Sequence, residues 1–172
     1  MKGTSISNSD KVIDSREIIA RIEELTDDKT TLVDAIDTAM DAYEEAVKAF
    51  DEATEESDTT VLEDTCDERK EELDSAKTEL EEWETGYDAE ELAALVSLAD
   101  EADGSPDWKY GETLIRDSYF EDYARELAED CGMVKEQDTW PNRCIDWAQA
   151  ADELKQDYTQ VDFDGETYWI RA

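Results

Sequence analysis

The side chains in this sequence that could do chemistry are almost all carboxylates, and their spacing is helical. Asp34, Asp37, Asp41, Glu44, Asp51, Glu55 and Asp58 recur at intervals of 3, 4, 3, 7, 4 and 3 residues, with Lys48 in the gap. Asp64, Asp67, Glu71, Asp74 and Glu81 repeat the device, with Thr78 in place of one acid. On a helix each set shares a face, and successive charges stand about 5 Å apart along the axis. Two such helices packed about 8–10 Å apart would together present one charge per ~2.6 Å of axis. Duplex DNA presents one per ~1.7 Å. Carboxylates, like phosphates, only accept hydrogen bonds and pair with Lys and Arg. The chemistry that such rows suggest is recognition of a basic surface.

Catalytic patterns are absent. There is no His, so the commonest general base is missing and no Cys has an imidazole to activate it. Cys66, Cys131 and Cys144 form no Cys-x-x-Cys and cannot all pair within one chain, which fits a reducing compartment and argues against a zinc site. No Gly-rich phosphate loop and no Gly-x-Ser-x-Gly occurs. A helical, magnesium-dependent nucleotide pyrophosphatase would carry Glu-Glu-x-x-Glu. The pairs beginning at Glu44, Glu55, Glu71, Glu81 and Glu90 are followed at the third place by Lys48, Thr59, Ser75, Thr85 and Ala94. Asp162-Phe163-Asp164-Gly165 is too short for a calcium loop. The expectation is a protein that is not an enzyme, with no cofactor and no metal site.

Net charge sharpens that expectation. Fifty-one acids against 16 bases give −35, the phosphate charge of roughly 60 Å of duplex. Residues 1–100 hold 32 acids and nine bases, and residues 101–172 hold 19 and seven, so the field is global. It repels nucleic acid and anionic membranes and steers basic proteins inward. Like charges at i, i+4 cost a helix a few tenths of a kcal/mol per pair, so the field is kept against stability, for a partner or for a salty solvent. Met1-Lys2-Gly3-Thr4 is followed by no apolar signal core, and no apolar run approaches a bilayer span. A cytoplasmic protein is expected.

The elements that must position these acids can be read from periodicity. Residues 1–14 look frayed. Asp14 or Ser15 caps a short helix over 16–25, with Ile18, Ile19, Ile22 and Leu25 on one side. A long helix over 31–56 has a heptad seam of Val33, Ile36, Met40, Tyr43, Val47 and Phe50; a second over 61–84 has Leu62, Cys66, Arg69, Leu73, Ala76, Leu80 and Trp83. Joined by the polar turn 57–60, they predict an antiparallel helical hairpin. Gly86 ends the second helix, and a third spans 88–102. Gly104-Ser105-Pro106 reads as a linker over 104–107, separating a helical domain over 1–103 from a module over 108–172. In that module, helices over 118–131 and 145–158 precede alternating runs over 159–163 and 166–170 around Asp164-Gly165, a hairpin signal. The fold class is mostly α with a small α+β C-terminal module: a coiled-coil-like hairpin, then helix–loop–helix–β-hairpin.

The stretch Tyr119-Phe120-Glu121-Asp122-Tyr123-Ala124-Arg125-Glu126-Leu127-Ala128-Glu129-Asp130-Cys131-Gly132 resembles the C-terminal domain of ArdA-type antirestriction proteins. Ile145-Asp146-Trp147 with Ala151 and Leu154, then Asp157-Tyr158-Thr159-Gln160-Val161-Asp162, are similar as well, and the element order matches. Many phage-encoded proteins carry a like module ending in a Phe-Asp-Gly hairpin. The family consists of acidic DNA mimics that occupy the DNA channel of type I restriction–modification enzymes, often as dimers. The resemblance covers residues 108–172 and departs over the first hundred, where a heptad hairpin stands in place of α/β domains. It implies that Glu121, Asp122, Glu126, Glu129 and Asp130 are phosphate-mimicking residues.

The leading expectation is a phage or mobile-element DNA mimic that inhibits a host DNA-binding defence enzyme, a basic protein of the restriction–modification kind, in the host cytoplasm, with a homodimer open. The rivals are a coiled-coil structural or interaction protein and a protein with a halophile-type acidic surface.

Overall fold

The computed structural model describes residues 5–54, 59–134 and 139–172. The protein is mostly α, with a small antiparallel sheet completed by its C-terminal residues. The described elements run β1 (Val12–Asp14), α1 (Ser15–Asp51), α2 (Thr59–Glu84), α3 (Tyr87–Ala102), α4 (Trp108–Gly111), β2 (Thr113–Arg116), α5 (Phe120–Asp130), α6 (Trp147–Leu154), β3 (Tyr158–Phe163) and β4 (Glu166–Arg171). Internal contacts divide the chain into two compact units, Met1–Ile22 with Ala93–Ala172, and Glu23–Leu92. The division therefore does not fall at 104–107. Those residues are tied into the first unit: Ser105 N donates to Ala102 O at 2.9 Å, and its hydroxyl donates to Arg171 O at 3.4 Å.

In the first unit the strands lie in the order β1-β2-β4-β3, all antiparallel. Register places Ile13, Leu114, Ile170, Tyr168, Val161 and Phe163 on one face, all buried. Ile115 and Trp169 pair on the opposite face, where Phe120 and Ala124 of α5 and Ala151 of α6 complete a core. Phe120 packs edge-on to Tyr158 and Trp169 at ring separations of 5.1 and 6.0 Å. Burying a side chain of this kind contributes about 1.5–3 kcal/mol.

The expected hairpin is present. Asp164 (φ 49°) and Gly165 (φ 80°) take the two left-handed positions of its turn, and Asp162 Oδ1 accepts from Gly165 N at 3.1 Å. The helices expected over 118–131 and 145–158 are shorter: the 3-10 turn Asp117–Tyr119 leads into α5, and α6 lies between the 3-10 turns Asn142–Cys144 and Lys155–Asp157. Asp146 caps α6 through Gln149 N at 3.1 Å.

Residues 5–14 differ from the frayed expectation. β1 is an edge strand on β2, with Ile13 buried. The segment before it is held by the Tyr168 hydroxyl, which donates to Asn8 O and Asp10 O, and by Asn8 Nδ2, which donates to Asp164 O at 3.1 Å. Ser15 is fully buried, and its hydroxyl donates to Trp108 O and accepts from Glu112 N, both at 2.7 Å. The cap of α1 falls to Asp14, whose carboxylate accepts from Arg16 N at 2.9 Å.

The second unit corrects the reading of two separate N-terminal helices. The expected break between 25 and 31 does not occur, and α1 is one helix of 37 residues. Within its polar stretch Thr30 and Thr31 satisfy their hydroxyls on Thr26 O and Asp27 O, at 2.8 and 2.9 Å, one turn back and without ending the helix. α1 ends at Asp51, short of the end expected at 56, and its last turn closes with Glu52 N on Lys48 O at 3.0 Å and Ala53 N on Phe50 O at 3.1 Å. α2 returns beside α1: Lys29 Nζ meets Glu84 Oε1 at 2.9 Å and lies 5.6 Å from the Trp83 ring. The α2 seam is as expected, with Leu73 buried and Leu62, Cys66, Arg69, Ala76, Leu80 and Trp83 half-buried. The α1 seam is broader and turned. Half-buried positions run Lys29, Leu32, Ile36, Ala39, Tyr43 and Ala46, with Met40 and Val47 alongside, while Val33 and Phe50 are 38% and 41% exposed.

Candidate partner-binding surface

Every described acid of the three expected sets is exposed. On α1 these are Asp34, Asp37, Asp41, Glu44 and Asp51; on α2, Asp64, Asp67, Glu71, Asp74 and Glu81; on α5, Glu121, Asp122, Glu126, Glu129 and Asp130. Glu55 and Asp58 lie outside the described residues. The α1 and α2 sets both belong to the second unit. The α5 set belongs to the first unit.

Cations treat the three sets differently. Among the described residues, no acid of the α1 and α2 sets forms an ion pair. The α2 pairs are Arg69 with Glu72 at 2.6 Å and Glu84 with Lys29. On α5, Arg125 reaches Asp122 at 3.3 Å and Glu121 at 3.6 Å, and stacks 5.6 Å from the Trp147 ring. Glu126 accepts from the Tyr119 hydroxyl at 2.7 Å, which raises that phenol above its ordinary pKa. Glu121 and Asp122 also sit in the first helical turn, where the macrodipole favours them. Glu129 and Asp130 stand at the opposite, unfavourable end. The α5 acids are thus partly internal to the module, and the hairpin acids are the freer field.

Sequence reasoning did not single out the acids that hold the first unit together. Asp117 accepts from Lys155 Nζ at 2.6 Å and from Trp169 Nε1 at 2.7 Å, and these contacts, Lys155 first, hold its carboxyl below the usual range. Glu101 accepts from Asp162 N at 2.8 Å on the outer edge of β3. Arg116 pairs with Glu166 at 2.8 Å. None of these lies on a periodic acid stripe, and only the folded chain brings such partners together.

Among the described residues no group of three or more Cys, Asp or Glu is arranged to hold a metal ion, and no helix is long and apolar enough to cross a membrane. Cys66 is half-buried; Cys131 and Cys144 are exposed, and all three are free thiols. The chain matches no protein-family model, no curated protein and no solved structure. What fold and surface define together is a class: a mostly α protein whose long helices display exposed carboxylates without cation partners among the described residues.

Proposed function

We propose that this protein is a non-catalytic DNA mimic that inhibits a basic, DNA-binding host defence enzyme, of the restriction–modification kind, by occupying its DNA cleft. The observation that carries the reading is the hairpin field: ten carboxylates of two helical stripes, exposed and without a cation partner among the described residues. Acids that serve the fold are paired; those on the stripes are not. The resemblance of residues 108–172 to ArdA-type proteins supports the same role, and with it action in the host cytoplasm.

The mechanism is competition. Stripe carboxylates take the Lys and Arg side chains that otherwise hold phosphates, and the −35 field speeds encounter. The test is protection of DNA from cleavage by restriction enzymes across a salt series. Protection should weaken steeply as salt rises, as phosphate-like contacts do. Protection indifferent to salt, or no protection of any DNA substrate, overturns the reading.

A further inference from the structure

β3 is the last strand of its sheet, and its outer side has no neighbouring strand. Register with β4 decides which of its groups face outward. The two-residue turn makes Phe163 and Glu166 a hydrogen-bonded pair, so Val161 with Tyr168 and Thr159 with Ile170 bond inward as well. The N–H and C=O groups of Tyr158, Gln160 and Asp162 point the other way. Two of these N–H groups are taken: Tyr158 N donates to Lys155 O, and Asp162 N donates to the Glu101 carboxylate at 2.8 Å. Glu101 stands where a neighbouring strand would offer a carbonyl. Among the described residues nothing bonds the Gln160 N–H or the carbonyls of Tyr158, Gln160 and Asp162. Thr159, Gln160 and Asp162 are exposed.

We propose that this edge takes an extended basic segment of a partner protein, added as a further strand beside β3 and centred on Gln160. The proposal goes beyond the DNA-mimic reading and does not rest on it, since the edge lies on the sheet of the first unit and uses no stripe acid. Charge selects the occupant. Asp157, Asp162, Asp164 and Glu101 lie on or beside the edge and are exposed, and Arg171 is the single base of residues 158–171. A second copy would bring the same acids and another −35 chain, which like charge opposes. Sheets blunt their open edges with charge; charge of one sign bars acidic strands and admits cationic ones. Main-chain bonds to Gln160 and its neighbours supply affinity, and the acids supply a preference for Lys or Arg at alternate positions.

The probes are two short synthetic peptides of alternating Lys and Thr, one of them N-methylated at every central residue. Charge and length are identical, and only the N–H donors differ. Binding to the full chain is measured by calorimetry at low salt, with amide hydrogen exchange followed by NMR. The unmethylated peptide should bind at least about tenfold tighter and slow exchange of the Gln160 amide by a similar factor. Gln160→Pro removes the outward N–H and leaves the β3–β4 ladder whole, as an edge strand allows; it should lose most of the advantage, with its circular dichroism unchanged. The comparison of the two peptides on the unaltered chain decides the question even where the variant does not fold. Equal binding of the two peptides overturns the proposal, as does failure of both to bind, or an advantage that survives Gln160→Pro. Slowing of Gln160 exchange with rising concentration of the free protein assigns the edge to a second copy and overturns it too. None of these results bears on the stripes, whose test is protection of DNA.

Discussion

Neutralising the α1 stripe should weaken inhibition and strengthen the fold at once. The perturbation is Asp34→Asn, Asp37→Asn, Asp41→Asn, Glu44→Gln and Asp51→Asn in one chain, which preserves shape and removes five charges. Within this set, 34 with 37, 37 with 41, and 41 with 44 are helical neighbours of like sign. Each such pair costs roughly 0.2–0.5 kcal/mol, so their removal should stabilise by about 1 kcal/mol. An exposed carboxylate facing a cation is worth roughly 0.2–1 kcal/mol. Five such contacts to a basic cleft come to about 2–3 kcal/mol, or roughly 50-fold in affinity. The assays are thermal unfolding by circular dichroism and titration of DNA-cleavage protection on the same preparation. Inhibition unchanged within about twofold, beside a raised melting temperature, would refute the reasoning: the stripe would then be surface charge without a partner.

Three further outcomes follow from the fold. Ser15→Ala should destabilise by about 1–3 kcal/mol in urea unfolding, because it strands the buried Trp108 carbonyl and Glu112 N–H. Burial pushes the Tyr168 hydroxyl up to about 12, above the ordinary 10.0. The folded state thus favours the neutral form, and stability present below pH 10 should fall as pH rises from about 10 through about 12. Tyr168→Phe should flatten that alkaline limb in unfolding scans while weakening the protein at neutral pH by about 1 kcal/mol. Leu73→Ala, at the one buried side chain of α2, should cost about 2 kcal/mol in urea, near the low end for such truncations because its half-buried surroundings can close over the gap.

Periodicity carried the hairpin and the α2 seam into view, because heptad spacing survives whatever else the chain does. It also showed the Asp-Gly turn, whose left-handed φ values few residues tolerate. Two kinds of feature were hidden. β1 and β2 are three and four residues long, too short for alternation to register, and their pairing joins residues about a hundred apart in sequence. The 26–30 stretch reads as polar turn material, yet it continues the helix, with the Thr30 hydroxyl satisfied on the carbonyl one turn back. The turned seam of α1 has a compositional cause. Alanines at 39 and 46 carry little hydrophobic signal beside Met40 and Val47, yet they face the same side as Leu32 and Ile36. The stripe acids were legible as a surface because exposure follows from helical phase; the pairing of Asp117 and Glu101 was not, since their partners lie 38 and 61 residues away.

The composition of the α1 stripe offers a test between a partner-binding field and a merely charged one. Four of its five described acids are Asp, and Asp is the poorer helix former. In the interior of a 37-residue helix, Glu would carry the same charge with a few tenths of a kcal/mol more stability at each place. What Asp offers is a shorter arm: its charge sits closer to the helix axis, with one fewer torsion to freeze when a cation binds. Converting Asp34, Asp37, Asp41 and Asp51 to Glu should therefore raise the melting temperature and lower inhibition together, at unchanged net charge. With roughly 0.5 kcal/mol of extra ordering cost per side chain, the four changes should weaken protection of DNA about 30-fold. A surface selected only for charge in a salty solvent would register no difference in partner affinity. Protection that stays level, or improves, while the helix stabilises would show that charge alone matters and that the geometry of the stripe does not.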